Sequence, residues 1–202
     1  MGFRTVIKGG WVVAWGVNGH EVLDGGVVMI EGNQIVYVGF PNDPNIPNAD
    51  RVVDASGKLV SPGLINLHCI ANLDLQVLRI DKDVREGATP QPGTYLLDNS
   101  VPHVLSDADF RTSADFSVAT LLKSGNTSFC AVTTGATKRW EDPIEEPYAL
   151  IDSSEQMGAR AWVSHLFREV CEYTDSNGAS KSIRDHDKAL IGLDHATDLI
   201  KH

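Results

Sequence analysis

The sequence predicts an α/β protein with an N-terminal β domain, and three observations carry that reading. Residues 1–60 are short β-branched runs punctuated by Gly, Asn and Asp. From Leu59 onward, strand-like runs alternate with amphipathic helical stripes, the pattern of a parallel sheet built from βα units. The 202 residues are 42% hydrophobic and 22% charged, which suits a folded globular chain and disfavours a disordered or fibrous one. Two regions follow, residues 1–60 and 61–202.

Thr5 to Trp15, Val27 to Glu31, Gln34 to Phe40 and Arg51 to Asp54 read as strands. Between the second and third, Gly32-Asn33 supplies tight-turn chemistry, so those two strands should pair antiparallel. Pro41-Asn-Asp-Pro-Asn-Ile-Pro-Asn48 cannot supply a ladder of N–H donors and reads as a surface loop. Leu64 to His68 is an apolar run entering a polar cluster, as a buried parallel strand would be. Asp81 to Pro102, with Gly87, Pro90, Pro92 and Gly93, reads as a long loop, and loops of that length in compact domains are usually functional or disordered.

Asp107 to Lys123 carries Phe110, Ala114, Val118, Leu121 and Leu122 at helical spacing, with Gly125 as its stop. Thr127 to Val132 is the next strand, Tyr148 to Met157 the next helix ending at Gly158, and Ala159 to Ser164 a further strand. The tail from Ile183 places Ala189, Leu190, Leu193, Ala196, Leu199 and Ile200 at three- and four-residue spacing and should end as a helix.

Charge and composition exclude some partners. Lys plus Arg number 17 against 27 Asp plus Glu, a net charge of -10, the wrong sign for neutralising phosphates, so nucleic acid is not an expected partner. No apolar stretch approaches the ~20 residues of a membrane span, and Met1-Gly-Phe-Arg-Thr-Val-Ile shows no apolar leader core, so neither a membrane nor secretion is expected. Cys69, Cys130 and Cys171 form no close pair, which suits a reducing, cytoplasmic setting. The chain lacks a phosphate-binding Gly-rich loop, a nucleophile elbow and a Cys-x-x-Cys pair, so nucleotide binding and serine hydrolysis have no support.

Ala55-Ser-Gly-Lys-Leu-Val-Ser-Pro-Gly-Leu-Ile-Asn-Leu-His68 resembles the junction in the amidohydrolase superfamily where a small β domain meets the first strand of a metal-binding (β/α)8 barrel. The subgroup it most resembles hydrolyses or deaminates triazines, ureas, carbamates and cyclic amidines. Ser113 to Cys130 is similar to that subgroup's first helix and second strand, and Met157-Gly-Ala-Arg-Ala-Trp to its third. The implied architecture is a β-sandwich-like domain over residues 1–60, followed by the first three βα units of an incomplete (β/α)8 barrel over residues 61–202. A whole barrel takes about 200 residues at least and about 250 typically, whereas only residues 64–202 remain here. A second polypeptide or a C-terminal remainder should therefore complete the barrel, giving an oligomer or a longer parent chain.

The resemblance implies a metal-dependent hydrolase of C–N bonds in small molecules, acting through water activated by a divalent transition metal, with Zn favoured and Fe, Co or Mn open. The superfamily's first strand ends in His-x-His, and period two puts both imidazoles on one side of the strand. The matching triplet here is His68-Cys69-Ile70. It implies His68 as a metal ligand and leaves Ile70, which cannot ligate, as a pocket wall. A mononuclear site follows, or a chain that has lost its site and serves as a non-catalytic partner or regulator. Cys69, between the two inward positions, should face the helices as a buried thiol.

Other candidates are weaker. His165, at the end of the third strand of the implied barrel, is read either as a substrate contact or as a hydrogen-bonded strand-end histidine. Thr133 and Thr134, at the end of the second, are candidate pocket residues, though β-branched residues belong in strands in any case. His103 leads into the first helix, and His20 sits in a turn. Asp185-His186-Asp187 and Asp194-His195 look metal-prone, but the helical period places them on a solvated face. The stretch from Asp81 to Pro102 is the candidate lid or substrate wall.

Overall fold

The computed structural model describes residues 2–44, 46, 48–71, 106–133, 140–174 and 177–201. It divides into two compact units, Met1–Pro62 and Gly63–His202.

In the first unit, β1 (Arg4–Gly16), β2 (Gly19–Glu31), β3 (Gln34–Gly39), β4 (Arg51–Asp54) and β5 (Leu59–Val60) form one five-stranded sheet in the order β3-β2-β1-β4, with β5 beside the far end of β1. The β1–β2 hairpin is antiparallel from Arg4↔Glu31 to Gly16↔Gly19, so β2 begins well before Val27. The β2–β3 pair closes at Glu31↔Gln34 as the Gly-Asn turn demands, and only Gly32 (φ 60) takes the left-handed conformation. β4 and β5 run parallel to β1.

The expected sandwich is corrected to this single sheet. Val6, Val27 and Met29 form its core, with Tyr37, Ile46 and Ala49 packed against them. Ile46 and Ala49, in or next to the Pro-rich loop, thus pack on part of the sheet's apolar surface.

The second unit is built on β6 (Leu64–Cys69), β7 (Asn126–Val132) and β8 (Arg160–Ser164), a parallel sheet in the order β6-β7-β8. Helices α1 (Asp107–Lys123) and α2 (Glu145–Met157) precede the second and third of these strands. Ser106 caps α1 reciprocally with Asp109: the Ser106 hydroxyl accepts from the Asp109 amide, and the Asp109 carboxylate accepts from the Ser106 amide at 2.8 Å. Gly158, at φ 77, closes α2 in the left-handed conformation.

Phe110, Ala114 and Val118 of α1, Ala149 and Leu150 of α2, and Phe129 and Ala131 of β7 form one core with Ala71. Burial of a side chain such as Phe129 contributes roughly 1.5–3 kcal/mol. Arg111 ties the two helices on the outside, its Nε 3.1 Å from Asp115 and its Nη1 3.5 Å from Asp152. The Ser117 hydroxyl donates to the Ala71 carbonyl and fixes α1 against the chain leaving β6.

The C-terminal region differs from its expected form. β9 (Val170–Thr174) and β10 (Ser180–Arg184) form an antiparallel hairpin, so Ile183 belongs to a strand, and α3 (His186–Lys201) begins after it. The turn at Asn177-Gly178, with Gly178 at φ 79, is the local signal for that hairpin. Only Gly192 and Leu199 of α3 are buried, while Leu190 and Leu193 remain about half exposed and Ile200 is 86% exposed. The buried face is therefore offset from the apolar stripe. No helix among the described residues is long and apolar enough to cross a membrane.

Gly63 opens the second unit because a Cβ there would collide with the Thr127 side chain, 2.6 Å from its Cβ. Gly63→Ala is expected to cost about 1–3 kcal/mol through overpacking. Chemical denaturation checks this, and wild-type stability would mean that the junction does not pack on β7 as described.

Candidate functional site

In parallel α/β sheets, ligands gather beyond the carboxyl ends of the strands. His68 and Ile70 lie at that end of β6, Thr133 just past β7 and His165 just past β8. The thiol of Cys69 lies 3.5 Å from the Cys130 carbonyl and packs against the helix-side core, as expected. The pairing of β6 with β7 is irregular between Asn66 and Cys69, so burial rather than a simple two-residue alternation describes this end of the strand: Cys69 is partly buried, and His68 and Ile70 reach solvent. His68 is exposed and its amide donates to the Asn66 side-chain oxygen at 3.1 Å. Ile70 is 39% exposed.

Among the described residues, His68 joins no group of three or more ligating side chains. Thr133 is buried, and its hydroxyl accepts the Leu166 amide at 2.8 Å, a structural role joining the ends of β7 and β8. Thr134, His103 and the stretch from Asp81 to Pro102 lie outside the described residues.

His165 enters a cluster that the sequence did not disclose. Its imidazole is fully buried, with Nε2 3.3 Å from Glu141 Oε2. The same oxygen accepts from His195 Nδ1 at 2.8 Å, and the two rings stand 6.4 Å apart. Glu141 is held in place by backbone pairing: Asp142 N donates to Leu166 O at 3.0 Å, Arg168 N to Trp140 O at 2.8 Å, and Glu141 itself bridges Phe167.

His195 reaches this point because Gly192, one turn earlier on α3, lets the helix approach closely. A Cβ at position 192 would lie 2.5 Å from Phe167 Cβ and 2.9 Å from its Cγ. The expectation of a solvated His195 is thus corrected: the helix meets the strand end through its small residues, and His195 shares that face. His186 does stay exposed, 3.6 Å from Glu169. The available sequence signal was Gly192-x-x-His195-Ala196, a small-residue face bearing a histidine. Glu141 carried none, since only the fold brings it to residues more than twenty positions away.

Burial pushes the Glu141 carboxyl up, but the hydrogen bonds from His195 and His165 outweigh it and hold the group below the ordinary carboxylate value. The oxygens therefore stay ionised near neutral pH. With two imidazoles facing it, this carboxylate can orient a ring, relay a proton or bind a cation.

Comparison with known proteins places the fold. A 74-residue stretch, 36% of this chain, is 43% identical to a 5-methylthioadenosine/S-adenosylhomocysteine deaminase of Symbiobacterium thermophilum, and covers 16% of that protein. The deaminase of the same name from Bacillus cereus is 25% identical over 183 residues, 90% of this chain and 38% of its own length. Guanine deaminase from C. acetobutylicum matches 98% of this chain and 42% of its own at a TM-score of 0.59 and 15% identity. A variant of atrazine chlorohydrolase from Arthrobacter aurescens, solved with zinc and atraton, matches 79% of this chain and 35% of its own, also at a TM-score of 0.59, with 19% identity. No family profile matches the chain. The chain spans well under half the length of these relatives.

Two outcomes follow from the Glu141 cluster. Gly192→Ala is expected to destabilise the protein in denaturant unfolding, whereas the same change at an exposed helix position would stabilise by up to about 1 kcal/mol; a gain in stability would mean α3 does not rest on Phe167. Because the folded Glu141 carboxyl titrates below its ordinary value of 4.5, its contribution is complete above that value and is lost as pH falls through the folded one. Glu141→Gln should therefore flatten the acid limb of the stability profile between those two values.

Proposed function

We infer that this chain, which is related to the N-terminal portion of the amidohydrolase superfamily, forms part of a metal-dependent hydrolase of C–N bonds in small molecules. What carries the reading is His68, standing at the carboxyl end of the first parallel strand within a sequence junction of amidohydrolase type. The deaminases named among its relatives remove amino groups, which favours an amino-substituted ring over an open-chain amide as substrate. β6, β7 and β8, with α1 and α2 between them, would be the start of a (β/α)8 barrel. Further chain, or a second polypeptide, would supply the rest, and small-molecule substrate would enter at the strand ends.

The residues here fit a metal only in part. His68 offers an exposed imidazole at the strand end, whereas Ile70 offers no donor, and one ligand does not make a site. A divalent metal, with Zn favoured, would supply a water acidified towards pH 7 once its remaining ligands arrive from beyond this chain. His68 would hold its place in that shell. Ile70 would exclude water from one wall and accept an apolar part of the substrate. Ile70 also supports a second reading, a non-catalytic partner in which the ligand pattern has lapsed.

The discriminating experiment is elemental analysis with steady-state kinetics on the native assembly. His68→Ala should abolish activity and lower the metal content, and His186→Ala, far out on α3, should leave both unchanged. Ile70→His should raise metal affinity while lowering turnover. Metal-free native material without activity would establish the partner reading instead.

A further inference from the structure

The Glu141 cluster stands apart from the place of His68. It lies past β8, two strand spacings from β6, which is about 10 Å. Its three potential ligand atoms, Glu141 Oε2, His165 Nε2 and His195 Nδ1, all lie within 4.8 Å of one another. A four-coordinate zinc holds N and O ligands at about 2.0–2.2 Å, which sets tetrahedral edges of roughly 3.3–3.6 Å. The observed edges of 2.8 and 3.3 Å from the shared oxygen need only a small outward movement to admit an ion.

The anchoring differs along the cluster in a way that suits ion entry. His165 has no exposed side-chain surface, and Glu141 is fixed through the bridge to Phe167. The His195 side chain, on the rim, retains 42% exposure and can swing as an ion enters from solvent. Two imidazoles and one carboxylate form a donor set that zinc uses with its fourth position open.

A purely hydrogen-bonded cluster is less well satisfied. In the neutral ring, donation from His165 Nε2 to Glu141 leaves Nδ1 without a proton, and that buried nitrogen has no hydrogen-bond partner among the described residues. An unsatisfied buried acceptor costs about 1–3 kcal/mol. Coordination through Nε2 instead leaves the proton on Nδ1, the tautomer that an Nε2-bound imidazole takes.

We propose that Glu141, His165 and His195 form a divalent transition-metal site, Zn(II) or Co(II) by donor chemistry, that is separate from any ion held by His68 and clamps α3 to the end of β8. The proposal does not rest on the hydrolase reading.

The test uses the full chain, purified with any polypeptide that completes it, and cobalt(II) and zinc as probes. In a His68→Asn background, which removes the superfamily-type ligand, one equivalent of cobalt should still bind, with the intense visible absorption of a four-coordinate ion, and zinc should displace it. Adding His195→Gln or Glu141→Gln should weaken that binding by at least about tenfold. On the unaltered protein, where no substitution can perturb folding, zinc should shift the nitrogen resonances of His165 Nε2 and His195 Nδ1. Cobalt affinity unchanged by either added substitution, ring nitrogens unmoved by saturating zinc, or cobalt binding lost with His68→Asn alone would each overturn the proposal.

Discussion

The second unit depends on one constraint: among the described residues, its parallel sheet packs α1 and α2 onto a single face. Phe129 and Ala131 on the central strand β7 are sealed beneath Phe110, Val118 and Leu150, so β7 is where both helices meet the sheet. A parallel sheet is normally covered on both faces, because each strand's apolar run needs cover on either side. Here Ile65 and Leu67 of β6 and Trp162 of β8 are 65%, 78% and 61% exposed. Apolar strand surface of that extent marks a face for packing or interaction.

The same arrangement places the chemistry. Cys69 turns into the helix core, while His68 and Ile70 stay exposed at the carboxyl end of β6, where ligands of a parallel sheet gather. Thr133 shows how closely the ends of β7 and β8 are tied, since its hydroxyl is taken by the Leu166 amide. Beyond that tie the chain does not start a helix at once. Residues 166–168 first pair with 140–142, and this local ladder presents Glu141 to His165.

Helix α3 extends the comparison between pattern and packing. An apolar stripe on a helix ordinarily marks its buried side, yet Leu190 and Leu193 stay about half exposed while Gly192 is buried. Close approach rather than hydrophobic area decides the contact: Phe167 fills the space that a side chain at position 192 would occupy.

The sequence by itself determined the order and type of most elements, because those follow from local rules. β-branched runs, the Gly32 turn and the glycine stops at 125 and 158 act within a few residues, and most elements lie close to their expected bounds, although β2 starts eight residues before Val27. The β9–β10 hairpin was missed although Asn177-Gly178 signals it, because its strands are short and polar and lack a clear period. Only the tertiary structure decided that the N-terminal strands form one sheet, that α3 docks through Gly192, and that Glu141, His165 and His195 meet at one oxygen. Those three residues come from a loop, a strand end and a helix, and no periodicity relates such positions; their meeting depends on strand pairing and on one missing side chain.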